Sequence, residues 1–84
     1  MANNQEILDA LREALVERLK VDEDRVTLEA DLFADLGLDS IGLMSAVMAI
    51  EDQFGFEVSD AELESVTTVR EAVDLLGSKV AAGA

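Results

Sequence analysis

The chain has no cysteine, histidine, proline, tryptophan or tyrosine, and only six lysines and arginines in 84 residues. Each absence closes off a class of protein. Without cysteine there is no disulfide, and without cysteine or histidine the usual ligands of a structural zinc are missing, so packing alone must hold the fold. The lack of histidine also removes the commonest general acid and base at neutral pH and leaves a nucleophilic serine without its usual partner. The scarcity of basic residues sets nineteen Asp and Glu against six Lys and Arg, a formal net charge of -13. Nucleic acid and anionic membranes are repelled by such a surface, whereas basic protein surfaces are drawn to it; solubility alone is the blander reading. No apolar run approaches the roughly 20 residues of a membrane span. The amphipathic N-terminal stretch carries Glu6, Asp9, Glu13 and Glu17, unlike an acid-poor transit peptide or the unbroken apolar segment of a signal peptide, so a cytoplasmic location is expected.

What is present is apolar. Half the residues are hydrophobic, with three phenylalanines as the only aromatics, which is too apolar for disorder and predicts a thin core of Leu, Val, Ile and Ala in a single domain over 1–84. Ile7, Leu8, Leu11, Leu15, Val16 and Leu19 fall at helical spacing and predict a first helix over about 5–19, opened by Asn3 with Glu6 three residues on. From Val21 to Leu38 no period persists, yet Leu28, Leu32, Phe33 and Leu36 predict a long loop pinned to the core, with a short helical turn near Leu32. Asp22 and Asp24 are spaced like the first ligands of a calcium loop, but Thr27 stands where glycine is needed and Phe33 where glutamate is, which rules that out. A second helix is predicted over about 40–54, with Asp39 as N-cap and Gly55 as its stop. Ser59 with Glu62 opens a short third helix, and Thr68 with Glu71 opens a last one. Gly77 either ends or merely weakens that helix, and 78–84 is expected to be a frayed tail. The predicted fold is all-α: a small antiparallel bundle of three main helices plus one short helix, with a long loop after the first.

The chemistry centres on "GLDSIG". Lys20 and Lys79 lie outside this segment, and a paired-carboxylate enzyme has little room for a substrate cleft in so small a bundle, so the chain is not expected to be an enzyme. Ser40 could still be a substrate. It sits where a loop meets a helix, and the first N–H groups of the helix favour an attached anion, although Asp35 and Asp39 oppose one. By position alone a plain cap or first-turn serine is the stronger reading.

"DLGLDSIGLMSAVMAIEDQFGFEVSD", followed by "TTVREAVDLL", resembles the acyl carrier protein family, in which a glycine and then Asp-Ser-Leu open a helix ending in acidic residues and Phe. The resemblance covers nearly the whole chain. It implies that Ser40 carries 4'-phosphopantetheine, added from coenzyme A by a phosphopantetheinyl transferase, and that acyl groups ride on its thiol as thioesters. Asp39 would help the transferase orient its metal and cofactor. Ile41, Met44, Met48, Glu51 and Asp52, with Asp35 on the approach, would form a docking face for acyltransferase, ketosynthase or acyl-activating enzymes with basic surfaces; core packing is the alternative for the two methionines. A shelter for the acyl chain would be lined by Phe33, Val47, Ile50 and Phe54, and by Val58, Leu63, Val66 and Ala72. A well-packed core without a cavity would use the same residue types. The chain is expected to act as a monomer with no metal of its own.

The sequence also departs from the family's pattern. Carriers of primary fatty acid synthesis have acids two and five residues after the serine, where this chain has Gly42 and Ser45. The usual proline before the third helix is replaced by Ser59, and "LGLDS" lacks the second glycine and histidine of peptidyl carriers. These departures point towards a polyketide, hybrid or other specialised pathway. Housekeeping fatty acid synthesis is the alternative, and an unmodified acidic adaptor for basic partners is the alternative of another class.

Overall fold

The computed structural model describes residues 3–83, with side chains described through Val80. Among these residues there are four α-helices, α1 (Asn4–Leu19), α2 (Ser40–Phe54), α3 (Asp60–Glu64) and α4 (Val69–Gly83), and a single 3-10 turn at Glu23–Arg25. Helix α1 starts where the Asn3 side chain accepts the Glu6 N–H at 2.9 Å, and it buries Ile7, Leu8, Leu11 and Leu15 together with Ala10 and Ala14. It ends on Lys20, held in the left-handed region at φ 60°. A non-glycine residue there costs about 1 kcal/mol, offset in part because the Lys20 and Val21 N–H groups both reach the Leu15 carbonyl.

The long loop is fastened by its backbone as well as its side chains. Val21, Val26, Ala30 and Leu32 are buried. The Leu32 N–H donates to the Thr67 carbonyl at 2.8 Å, and the Val69 and Arg70 N–H groups donate back to the Ala30 and Leu28 carbonyls at 3.0 and 2.9 Å. These bonds surround an isolated antiparallel bridge between Asp31 and Thr68. The helical turn expected near Leu32 is present: Asp35 N–H donates to the Asp31 carbonyl and Gly37 N–H to the Phe33 carbonyl, and Gly37 closes it at φ 72°. The radius of gyration is 11.4 Å, no more than the roughly 12 Å that size scaling gives for a compact domain of this length. The loop is therefore folded onto the helices.

Helix α1 packs against both α2 and α4. The α2 stripe in this core is Leu43, Ala46, Val47 and Ile50, at the i, i+3, i+4, i+7 spacing of one helix face. Gly55, at φ 77°, terminates α2. Ser59 and Glu62 form a complete capping box at α3. Thr68 and Glu71 do the same for α4, with the Glu71 N–H on the Thr68 hydroxyl at 3.2 Å and the Thr68 N–H on Glu71 Oε1 at 3.0 Å.

Over 78–83 the expected frayed tail is replaced by helix, since α4 passes through Gly77 and runs to Gly83, while Ala84 lies outside the described residues. The reason is packing. Leu76 is fully buried and Val80 rests against the core, and Lys79 pairs with Glu62. Gly77 is neither a stop nor a turn residue, since it lacks the positive φ of Gly37 and Gly55. It sits where α1 comes close; a Cβ there would lie 2.4 Å from Asn4 Oδ1. No helix among the described residues is long and apolar enough to cross a membrane.

Candidate functional site at the start of α2

The turn before α2 is held by two carboxylates. Asp31 Oδ1 accepts the Phe33 and Ala34 N–H groups, both at 2.8 Å, and Asp35 Oδ2 accepts the Asp31 N–H at 2.8 Å. This turn ends at Gly37 and delivers Leu38, Asp39 and Ser40 to the helix. Asp39 is the N-cap, extended at φ -112° and ψ -178°, and its Oδ1 accepts the Gly42 N–H at 2.7 Å. Ser40 is thus the first helical residue and not the capping side chain, and it is exposed.

A cleft of about 350 Å³ opens beside Ser40. Ser40, Leu43 and Met44 of α2 form one side, Asp60, Leu63 and Glu64 of α3 the other, and Phe33 from the loop completes it. Of the eight residues expected to shelter an acyl chain, Phe33 and Leu63 line this cleft. Val47, Ile50, Val66 and Ala72 are sealed in the core at 3% exposure or less. Phe54 and Val58 are half-buried against that core and do not line the cleft. The cause is rotation about α2: the 43/46/47/50 stripe is given to core packing, while the cleft takes residues 40, 43 and 44. Leu43, Asp60 and Glu64 were not anticipated as lining residues, although positions 60, 63 and 64 share one face by helical spacing.

Ile41, Met44 and Met48 stand out from α2 at 78%, 39% and 57% exposure. Leu43, on the same helix, is turned inward at 3%. No charged residue lies between Asp39 and Glu51, a stretch of about 18 Å of helix at 1.5 Å per residue. Gly42 and Ser45 are both half-buried, so the two positions that carry acids in related carriers are not plain surface positions here. Asp52 is exposed. Glu51 is half-buried, and its Oε2 accepts the Val58 N–H at 2.6 Å, so that carboxylate is occupied in holding the turn between α2 and α3.

Two carboxylates elsewhere, Glu62 and Glu71, are perturbed. The Lys79 ammonium, followed by the N–H and hydroxyl of Ser59, holds Glu62 below the usual carboxylate range. The Thr67 hydroxyl, followed by the N–H groups of Thr68 and Thr67, lowers Glu71 to about 2. Both act at helix starts, and neither faces Ser40 as an acid or base.

The residues around Ser40 suit a covalently attached phosphate ester. The N–H groups of Ser40 and Ile41 lie in the first turn, where a helix supplies no carbonyl four residues back. The positive end of a 15-residue helix favours one negative charge, while Asp35 and Asp39 oppose a second. The cleft offers apolar walls from Phe33, Leu43 and Leu63 to whatever the ester carries.

Residues 9–76 match the family model described as the phosphopantetheine attachment site. The acyl carrier protein of Petrotoga mobilis is 44% identical over 75 residues, covering 89% of this chain and 88% of that protein. The acyl carrier protein of Thermotoga maritima is 42% identical over 80 residues, covering 95% and 99%. With a family match over most of its length and relatives aligned nearly end to end, this chain belongs to the acyl carrier proteins, carriers whose prosthetic group is 4'-phosphopantetheine.

Proposed function

We propose that the chain carries acyl intermediates on 4'-phosphopantetheine attached to the hydroxyl of Ser40. The observation that supports this most directly is the division of labour at the start of α2, where Asp39 does the capping and Ser40 stands exposed at the mouth of the cleft. The attached group supplies a thiol that holds acyl chains as thioesters, which explains a carrier without cysteine. The chain has no histidine to take the serine proton, so that base must come from the phosphopantetheinyl transferase. Asp39, the residue before the serine, helps the transferase orient its metal and cofactor. Phe33 and Leu63, the two expected shelter residues that line the cleft, shield the early part of the cargo.

The partners are biosynthetic enzymes, acyltransferases, ketosynthases or acyl-activating enzymes among them, that seat Ile41, Met44 and Met48 in an apolar groove. Asp35, Asp52 and the outer edge of Glu51 meet cations at its ends. The uncharged middle of α2 supports a specialised pathway over housekeeping fatty acid synthesis, because central acids would otherwise attract a uniformly basic groove.

Co-expression with a broad-specificity phosphopantetheinyl transferase and intact-mass measurement tests this reading. Wild type is expected to gain one cofactor mass and Ser40→Ala none. No gain in wild type, or a gain that survives Ser40→Ala, would sink it, leaving an acidic adaptor as the better account. The same measurement on protein from its own cells reads the cargo, and an unbranched saturated chain there would return the protein to fatty acid synthesis.

A further inference from the structure

Helix α3 forms one wall of the cleft, and little of it is buried. It has five residues, of which Leu63 alone is buried. Asp60, Leu63 and Glu64 face the cleft, whereas Glu62, about half a turn round the helix from Asp60, faces the other way. There its Oε2 meets Lys79 Nζ of α4 at 2.5 Å, with the two side chains 34% and 31% exposed. The carboxylate is already fixed, because Oε1 accepts the Ser59 N–H at 3.1 Å and the Ser59 hydroxyl at 3.0 Å. Little of the Glu62 side chain's freedom remains to be lost when Lys79 docks, which removes part of the usual weakness of ion pairs near the surface. Lys79 reaches this position only because α4 continues as helix past Gly77.

The geometry points to Lys79 as a positioning residue that sets the width of the cleft beside Ser40, and thereby the length of acyl chain the carrier shields. This rests on the carrier reading of Ser40. The ion pair holds α3 by the face turned away from the cleft. Across the cleft, Leu63 faces Phe33, Leu43 and Met44, an apolar set whose mutual burial favours closure. Lys79 opposes that closure. With the tether cut, α3 leans towards α2, the cleft narrows, and longer chains are expelled before shorter ones.

Two measurements on wild type, Lys79→Gln and Lys79→Arg test the proposal. On unloaded protein, amide hydrogen exchange at Leu63 and Val66 is expected to quicken about three- to five-fold in Lys79→Gln, the range an ion pair of this kind can shift, and to return towards wild type in Lys79→Arg. On protein loaded with butyryl, octanoyl or dodecanoyl groups, hydroxylamine cleavage of the thioester reads shielding. Lys79→Gln is expected to lose protection of the dodecanoyl form while the butyryl form is unaffected, and Lys79→Arg to restore it. A loss spread evenly over all three chains would mean general destabilisation and would overturn the assignment, as would a profile shifted towards longer chains. Unchanged exchange at α3 would refute the tether. If wild type cannot be loaded at all, the carrier reading fails and the cargo half of the proposal falls with it, while exchange still decides whether Lys79 holds α3.

Discussion

Asp39 has one role in the fold and a second one proposed for cofactor loading, and a pair of substitutions separates them. Its carboxylate caps α2 through the Gly42 N–H at 2.7 Å, and it stands next to Ser40. Removing the cap with Asp39→Ala is expected to cost about 1 kcal/mol, read by denaturant titration. Asn caps as well as Asp, so Asp39→Asn should hold wild-type stability within a few tenths of a kcal/mol. Under the carrier reading it should nevertheless be loaded by the transferase about ten-fold or more slowly, because the charge that orients the transferase's metal is gone. Normal loading of Asp39→Asn would reduce the residue to a cap. The cap was legible in the sequence because its partner lies three residues away. The role of Glu51 was not: its partner Val58 is seven residues on, beyond the end of α2, and only the folded turn brings that N–H to the carboxylate.

At the level of the helices, α4 has a start that titrates. Glu71 Oε1 accepts from the Thr67 hydroxyl at 2.5 Å and from the Thr67 and Thr68 N–H groups, both at 3.0 Å, which lowers its carboxyl from 4.5 to about 2. A depressed carboxylate adds stability that is fully present above its ordinary range and is lost as pH falls through the folded value. The window here runs from about 4.5 down to about 2. Wild type should therefore lose Tm across it more steeply than Glu71→Gln, which still accepts hydrogen bonds but has no proton to gain. Parallel slopes would show that Glu71 is not the titrating cap. Thr68 and Glu71 were readable as a capping pair, whereas Thr67 was not. The end of the same helix was left open by the sequence, because a glycine inside a helix and a glycine that stops one look alike there. Backbone φ and the approach of Asn4 distinguish them, and both belong to tertiary structure.

Across the whole molecule, charge is poorly compensated. Among the described residues three ion pairs form, Arg12–Asp9, Arg70–Glu29 and Lys79–Glu62, against a net charge of -13. Self-repulsion on a body of 32 × 24 × 21 Å is long-range, and the screening length shrinks from about 30 Å at 0.01 M to about 8 Å at 0.15 M salt. Tm should rise by several degrees over that range, and further with millimolar magnesium. A flat response would mean that the acids are better neutralised than their three partners suggest. Lys79 has added weight in this field, since it is a cation placed where the chain is otherwise acidic.

The sequence by itself determined where the helices begin, which residue caps each, that the long loop is pinned, and that Ser40 is presented at a helix start. These features rest on hydrogen bonds between residues three or four apart and on apolar periodicity, both written locally in the chain. The tertiary structure decided which residues border the cleft, how Glu51 is spent, and that Lys79 reaches Glu62. Those outcomes depend on how far α2, α3 and α4 are rotated about their own axes when their apolar stripes meet. No local pattern encodes that rotation, because it is set by the packing of residues far apart in sequence.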